Sequence, residues 1–281
     1  MPRQPRLPPR YAEPKDWLGW AEVHGAILDR SSSNVLNAAA LYGDQVNLIA
    51  GLTRKLRPDF LVGVLGGYET FDYRSDELQG RLKGDGWTIG SYLGWMLASQ
   101  LRLDAAIAYS GIGYDGTAGT AAATFGGHRL LVSGGLTGTY ATYGLQIEPS
   151  ARVYALWERA DDYTDTLGTA QAAHNCSTGR ASGGVKLAYP AAWSPAMKIA
   201  PYVGLYGDYY FNANDAGAVA IASAIPAAIV MDGWSARATG GVSAGFGNGA
   251  QVSLGAERSG LGAGFSLWTY RAQASMPFAP Q

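Results

Sequence analysis

Residues 101–109 read LRLDAAIAY. In an extended chain successive side chains point to opposite faces. Leu101, Leu103, Ala105, Ile107 and Tyr109 therefore share one side, and Arg102, Asp104, Ala106 and Ala108 the other. This is a strand with one apolar face. The same rule sorts QIEPSARVYALW (146–157): Ile147, Pro149, Ala151, Val153, Ala155 and Trp157 oppose Gln146, Glu148, Ser150, Arg152, Tyr154 and Leu156. It also sorts GGVKLAY, where Lys186 opposes Val185 and Leu187, and KIAPYVGLYGDYYF, where Asp208 opposes Leu205 and Tyr209. In WSARATGGVSAGF, Arg237 opposes Trp234, Ala236 and Val242.

Working outward, such segments recur about every 20 residues, a spacing that suggests an all-β chain with regular turns. Twelve are expected, near 17–29, 40–56, 59–74, 78–97, 100–114, 121–141, 143–159, 176–189, 197–211, 228–247, 250–258 and 264–278. Several exceed the usual soluble strand of about 5–6 residues. Tight connections fall at Arg57-Pro58, Ser99-Gln100, Thr142-Tyr143 and Asn248-Gly249, and longer ones at 29–39, 161–175 and 212–227. Short turns at one end and long loops at the other describe an outer-membrane barrel.

Composition decides between that barrel and a soluble sandwich. Of 281 residues, 47 % are hydrophobic and only 15 % charged, with 39 glycines. A soluble two-sheet protein needs a charged exterior. A membrane barrel presents its apolar face to lipid and needs few charges, and closure removes the sheet edges that hydrocarbon does not tolerate. The fold expected is all-β: a single closed antiparallel transmembrane β-barrel of about twelve strands, spanning 17–278. A Pro-rich linker (1–16) precedes it and a short tail (279–281) follows. Aromatic residues near segment ends are expected to form interfacial girdles: Trp17, Trp20, Tyr73, Trp87, Tyr109, Tyr114, Tyr140, Tyr143, Trp157, Tyr189, Phe211, Trp234 and Phe278.

Composition also removes function classes. Twenty-one basic against 22 acidic residues leave a net charge of −1, without the basic excess a nucleic-acid partner requires. One cysteine, Cys176, excludes an internal disulfide framework. The most apolar stretch, 216–231, is too short for a transmembrane helix, and Pro226 interrupts it. The start, MPRQPRLPPRYAEP, lacks the apolar core of a secretory signal, so export is expected to use a leader outside these residues.

Catalytic chemistry finds little to stand on. His24, His128 and His174 form no metal spacing with one another or with Cys176, and read as solvated or lumen residues. Asp161, Asp162 and Asp165 in RADDYTD read as a solvated loop before a cation site. GFGNG (245–249) has no helix after it and reads as a hairpin turn. Neither enzyme activity nor a cofactor is expected. The charges on the polar face are better candidates: Arg102, Asp104, Glu148, Arg152, Lys186, Asp208, Arg237, Glu257 and Arg271 are expected to line the lumen, pairing across it around a wet, weakly selective pore. Arginine at Leu103 is therefore expected to harm the barrel more than leucine at Arg102.

In order along the chain, GLTRKLRPDFLVGVLGGYETFDY, GDGWTIGSYLGWM, LRLDAAIAYSGIGYD, LQIEPSARVYALWERADDYTD, RASGGVKLAYP, APYVGLYGDYYF and WSARATGGVSAGF resemble the hairpins of the β-barrel (translocator) domain of bacterial autotransporters, type V secretion. The resemblance covers about 17–278. It implies a Gram-negative outer-membrane barrel of twelve strands that translocates and anchors an N-terminal passenger. It also implies a final strand read by the barrel-insertion machinery, which Met276 and Phe278, on the face of Trp268 and Tyr270, would satisfy. The expected partners are the lipid bilayer, that machinery and a passenger segment, the barrel being a monomer. The passenger itself is not among these residues, and the segment before the first strand is Pro-rich where the family usually has a helix. The alternative is a stand-alone outer-membrane pore or surface-interaction barrel working through its long loops, with AVAIASAIPAAIV (218–230) folded inward as a partial plug. An outer-membrane hydrolase ranks third.

Overall fold

The computed structural model describes residues 16–32, 39–212 and 233–279. All but the last residue of the expected 1–16 linker, the expected plug at 218–230 and the last two tail residues lie outside them. Among the described residues every regular element is a strand. Twelve long strands follow in order: β1 (Trp17–Arg30), β2 (Leu41–Arg57), β3 (Phe60–Ser75), β4 (Gly80–Ala98), β5 (Leu101–Ala118), β6 (Ala121–Gly138), β7 (Leu145–Ala160), β8 (His174–Ala188), β9 (Met197–Asn212), β10 (Gly233–Phe246), β11 (Gln251–Leu261) and β12 (Phe265–Phe278). Short pieces at Tyr140–Thr142 and Ala191–Ser194 prolong hairpins at one rim.

Each strand pairs antiparallel with its sequence neighbour, and β12 pairs with β1 from Trp17↔Phe278 to Arg30↔Phe265. The sheet is thus closed, and every ladder group on both end strands finds a partner. The rim holding both termini also holds the turns at 58–59, 99–100 and 143–144, which is the periplasmic side in such barrels. The opposite rim differs from expectation. Its connections at 76–79, 119–120 and 262–264 are also short, so loop asymmetry is confined to the remaining three. β5 and β6 run to a two-residue turn at 119–120, so β5 continues four residues past its expected end at 114.

The strands have 11 to 19 residues, and all but the shortest exceed the roughly 9–11 needed to cross a bilayer. The side-chain pattern shows where the excess goes. In β3, Val62, Val64 and Tyr68 point outward, whereas Phe71 and Tyr73, in the other phase, are buried inside. Beyond Tyr68 the outward positions become Thr70, Asp72 and Arg74. β4 changes over at Trp87, beyond which Asp85, Lys83 and Arg81 face out and Leu82 is buried. In β5 and β6 the inner positions past the same level are Ile112, Tyr114 and Phe125. Apolar-out becomes apolar-in at one height, so the wall β3–β6 leaves the membrane there and continues as an ordinary water-facing sheet with its own core.

That core joins Phe71, Tyr73, Leu82, Ile112, Tyr114 and Phe125 to Leu28, Leu41 and Ala160, with Tyr163, Leu267 and Cys176 packed against it. Rings stack in series: Phe71 to Tyr114 at 5.8 Å, Tyr114 to Phe125 at 5.0 Å, and Phe125 to Tyr163 at 4.5 Å. Tyr163 belongs to the 161–173 loop, which carries its own two-residue hairpin. Its phenol is pushed up in pKa by burial and by Asp165. At this height the interior is apolar, whereas the sequence reading places the apolar face against lipid along the whole of each strand.

The girdles are corrected with it. Tyr73 and Tyr114 are 5 % and 1 % exposed inside the barrel, and Trp20 faces inward as well, donating from Nε1 to the Tyr92 hydroxyl at 2.6 Å. Trp87, Tyr109, Tyr140, Tyr143, Trp157, Tyr189, Phe211, Trp234 and Phe278 do lie on the outer surface. Trp17 stacks on Phe278 at 6.5 Å across the closure seam.

Candidate functional site in the barrel interior

The interior is built by placing one large side chain over one missing one. A methyl added at Gly51 would overlap the Trp20 indole, and one at Gly63 would overlap the Tyr92 ring. Tyr202 likewise lies over Gly241 and Gly255. Close approach of ring to backbone keeps the aromatic groups flat on the wall, which preserves room inside a barrel of twelve strands.

Under the apolar core lies a buried polar chain. Arg129 of β6 donates from Nε to Glu158 at 2.9 Å and from Nη1 to Glu69 of β3 at 2.7 Å. Tyr114 donates to the other Glu158 oxygen, Gln45 donates to Glu69 at 2.9 Å, and Tyr73 donates to Gln45 at 3.2 Å. The Glu158 side chain is fully buried. Arg129 reaches Glu69 past β4 and β5, whose interior positions nearby are Gly86, Thr88 and Ser110. With strands about 4.8 Å apart, three steps make about 14 Å along the wall, which Arg129 and Glu69 close together only over small residues.

A second cluster joins β9, β10 and β11. Arg237 donates to Asp208 at 2.9 Å and to Glu257 at 2.7 Å, with the Tyr206 ring 4.4 Å from its guanidinium carbon. Asp208 has no exposed surface. Breaking a buried pair from one side leaves an uncompensated charge, so these groups hold one another in place.

The remaining charges singled out by alternation occupy the same interior phase. Arg152 bonds Asp104, and Arg102 stands 3.8 Å from it. Lys186 meets Glu148 at 2.5 Å, and Arg271 approaches Glu22 at 3.9 Å, with His24 also on Glu22. All nine residues therefore sit in ion pairs. The structure adds Glu69, Arg129 and Glu158, which sequence reasoning missed. Extending the alternation from Trp157 to Glu158, and from Leu130 back to Arg129, would have placed both inside.

Other candidates separate. His128 is on the outer surface, stacked 5.8 Å from Tyr109, which corrects its reading as a loop or lumen residue. His174 opens β8 and lies beyond the loop. Asp165 serves its own loop: its carboxylate accepts the N–H groups of Leu167 and Thr169 at 2.9 Å. Among the described residues no group of three His, Cys, Asp or Glu side chains could hold a metal. The 247–249 turn closes with Gly249 at φ +89° and the Asn248 side chain accepting the Ala250 N–H.

Comparison with known proteins follows the same lines. The β domain of the Bordetella autotransporter BrkA superposes with a TM-score of 0.75 at 18 % identity, over 94 % of this chain and 100 % of that one. The translocator domain of NalP from Neisseria meningitidis gives 0.75 at 13 % identity, over 95 % and 90 %. The transport unit of AIDA-I from Escherichia coli gives 0.65 at 12 %, over 97 % and 93 %. Curated protein sequences yield no significant match. The family model described as "Autotransporter beta-domain" matches residues 19–257, from the first strand into β11. With a closed twelve-stranded barrel, an apolar outer band and a charge-paired interior, the chain belongs to the autotransporter β-domain family and is an outer-membrane translocator barrel.

Proposed function

We propose that the interior of this barrel is the path by which a segment N-terminal to β1 reaches the cell surface, and that the barrel then anchors it in the outer membrane. The observation that carries this reading is the interior phase of the strands on the periplasmic side of the apolar core, where ion-paired side chains and glycine-seated rings leave a polar wall. An extended chain with its hydrated backbone meets hydrogen-bonding groups along that wall. Arg102, Asp104, Glu148, Arg152, Lys186, Asp208, Arg237, Glu257 and Arg271 line the path, and their pairing fixes its shape. The chemistry is mechanical: the barrel makes and breaks no bonds and is not an enzyme.

Insertion into the membrane uses the last strand. Met276 and Phe278 face outward at the periplasmic rim, the place where the barrel-insertion machinery meets a C-terminal signal. The barrel acts as a monomer, because its sheet is closed on itself and needs no second copy to satisfy an edge.

The test is surface display. The chain, given a secretory leader and an epitope before Met1, is expressed in a Gram-negative host. The epitope is then digested by protease added to intact cells while the barrel stays heat-modifiable on gels. An epitope protected in the periplasm, with a correctly inserted barrel, would favour the stand-alone pore.

A further inference from the structure

The interior charges form a belt. Moving from β7 to β1, each strand contributes one: Glu158, Arg180, Asp208, Arg237, Glu257, Arg271 and Glu22. Each step from Arg180 to Glu22 descends two residues toward the periplasmic rim. For example, Arg180 is opposite Tyr210 while Asp208 is opposite Ser182, and Arg271 is opposite His24 while Glu22 is opposite Gln273. A diagonal of that kind follows the stagger that closure imposes on a barrel, and along these seven strands the signs alternate. Asp208, Arg237, Glu257, Arg271 and Glu22 each have an opposite charge within ion-pair distance, and Glu158 has Arg129.

Arg180 differs. Among the described residues no carboxylate lies within 4.0 Å of it. Its guanidinium carbon lies instead 5.8 Å from the Tyr154 ring and 5.9 Å from the Tyr210 ring. The two rings come from the strands on either side, β7 and β9, and flank the guanidinium. A cation–π contact satisfies none of the guanidinium N–H groups, which are left to find acceptors. A half-buried cation in a polar channel, with no anion beside it among the described residues, is a preformed half of a bidentate carboxylate pair.

We propose that Arg180, between Tyr154 and Tyr210, is a carboxylate-binding site of the lumen. Its ligand is an Asp or Glu side chain of an extended polypeptide inside the barrel. The site belongs to the folded barrel and exists whether or not a passenger is exported, so its failure and the failure of the export reading are separable.

The experiment uses the full chain refolded in detergent, each variant first shown to be folded by heat-modifiability. Binding of a fluorescent hexaglutamate peptide is followed by anisotropy at low salt. Wild type is expected to bind about tenfold more tightly than Arg180→Gln, as befits one charge-assisted contact. Arg180→Lys should fall between them, since it keeps the charge and loses the fork. Arg258→Gln removes an outward cation that also stacks on a ring, Trp268, and should bind like wild type. Acetate at matched carboxylate concentration should not displace the peptide. Equal affinity of wild type and Arg180→Gln overturns the proposal. So does equal loss in Arg258→Gln, or displacement by acetate, which would make this a small-anion site.

Discussion

Placing an arginine on the outer surface of β5 measures where the membrane lies. Trp95, in the periplasmic girdle against Phe60, is paired with Leu103, and Trp87, at the opposite border, is paired with Gly111. Ile107 stands midway and is 49 % exposed on the outer face. Eight residues separate the two tryptophans, about 27 Å along a strand and about 19 Å of depth at a tilt near 45°. That places Ile107 close to the midplane and Leu103 about 10 Å below it. An arginine costs about 2–4 kcal/mol at the midplane and about 0–1 kcal/mol near the interface. Ile107→Arg should therefore destabilise the barrel by about 3 kcal/mol and Leu103→Arg by less than about 1 kcal/mol, so the larger harm that alternation alone expects at Leu103 moves to Ile107, because Leu103 lies level with Trp95 at the interface. Arg102→Leu, which removes only a 3.8 Å neighbour of Asp104 while Arg152 remains, should stay within about 1 kcal/mol. Reversible urea titrations in lipid vesicles read all three. Equal costs at 103 and 107, or a cost at Arg102→Leu matching that at Ile107→Arg, would refute the assignment of faces and depth.

Arg129→Met should cost about 3–5 kcal/mol, because it strands Glu69 and Glu158 in the interior, and Arg129→Met/Glu158→Gln should recover part of that loss in the same titration. Gly184→Val should prevent heat-resistant folding, since its Cβ would overlap the Leu205 carbonyl and the Tyr206 ring, whereas Gly207→Ala, with open space around it, should fold normally on the same gels. Phe278→Ser loses the ring contact with Trp17, a loss of about 0.5–1.5 kcal/mol, yet should slow membrane insertion in cells well beyond that change, as followed by pulse-chase heat-modifiability.

The membrane-crossing half of the barrel was legible because lipid and lumen impose opposite demands on neighbouring residues. In β5 and β7 that contrast sets Ile107 against Asp104 and Val153 against Arg152, and the paired charges followed from it. Past Tyr68 and Trp87 the contrast inverts, and a rule tuned to apolar-out reads the buried Tyr73 and Tyr114 as girdle residues. Length could have given warning, since a strand of 18 or 19 residues exceeds the bilayer. Glu158 stayed hidden for another reason: WERAD offers charges on both phases, and which one is interior depends on carrying register through Trp157. Arg129 was masked by His128 beside it. Nothing local in the sequence brings Glu69 and Arg129 together, because their contact crosses two intervening strands and depends on barrel curvature.

The central claim is that an upstream segment passes through the interior, and neighbouring residues on one strand offer the most direct measurement. Ser133 faces inward on β6, and Val132 beside it faces lipid. In a chain with Cys176→Ala, a cysteine is placed at either position, and a passenger with one free cysteine is stalled during export by a folded, disulfide-closed domain. Oxidation should trap the passenger to Ser133→Cys and not to Val132→Cys. Trapping at Val132→Cys alone, or at both positions equally, would contradict passage through the barrel.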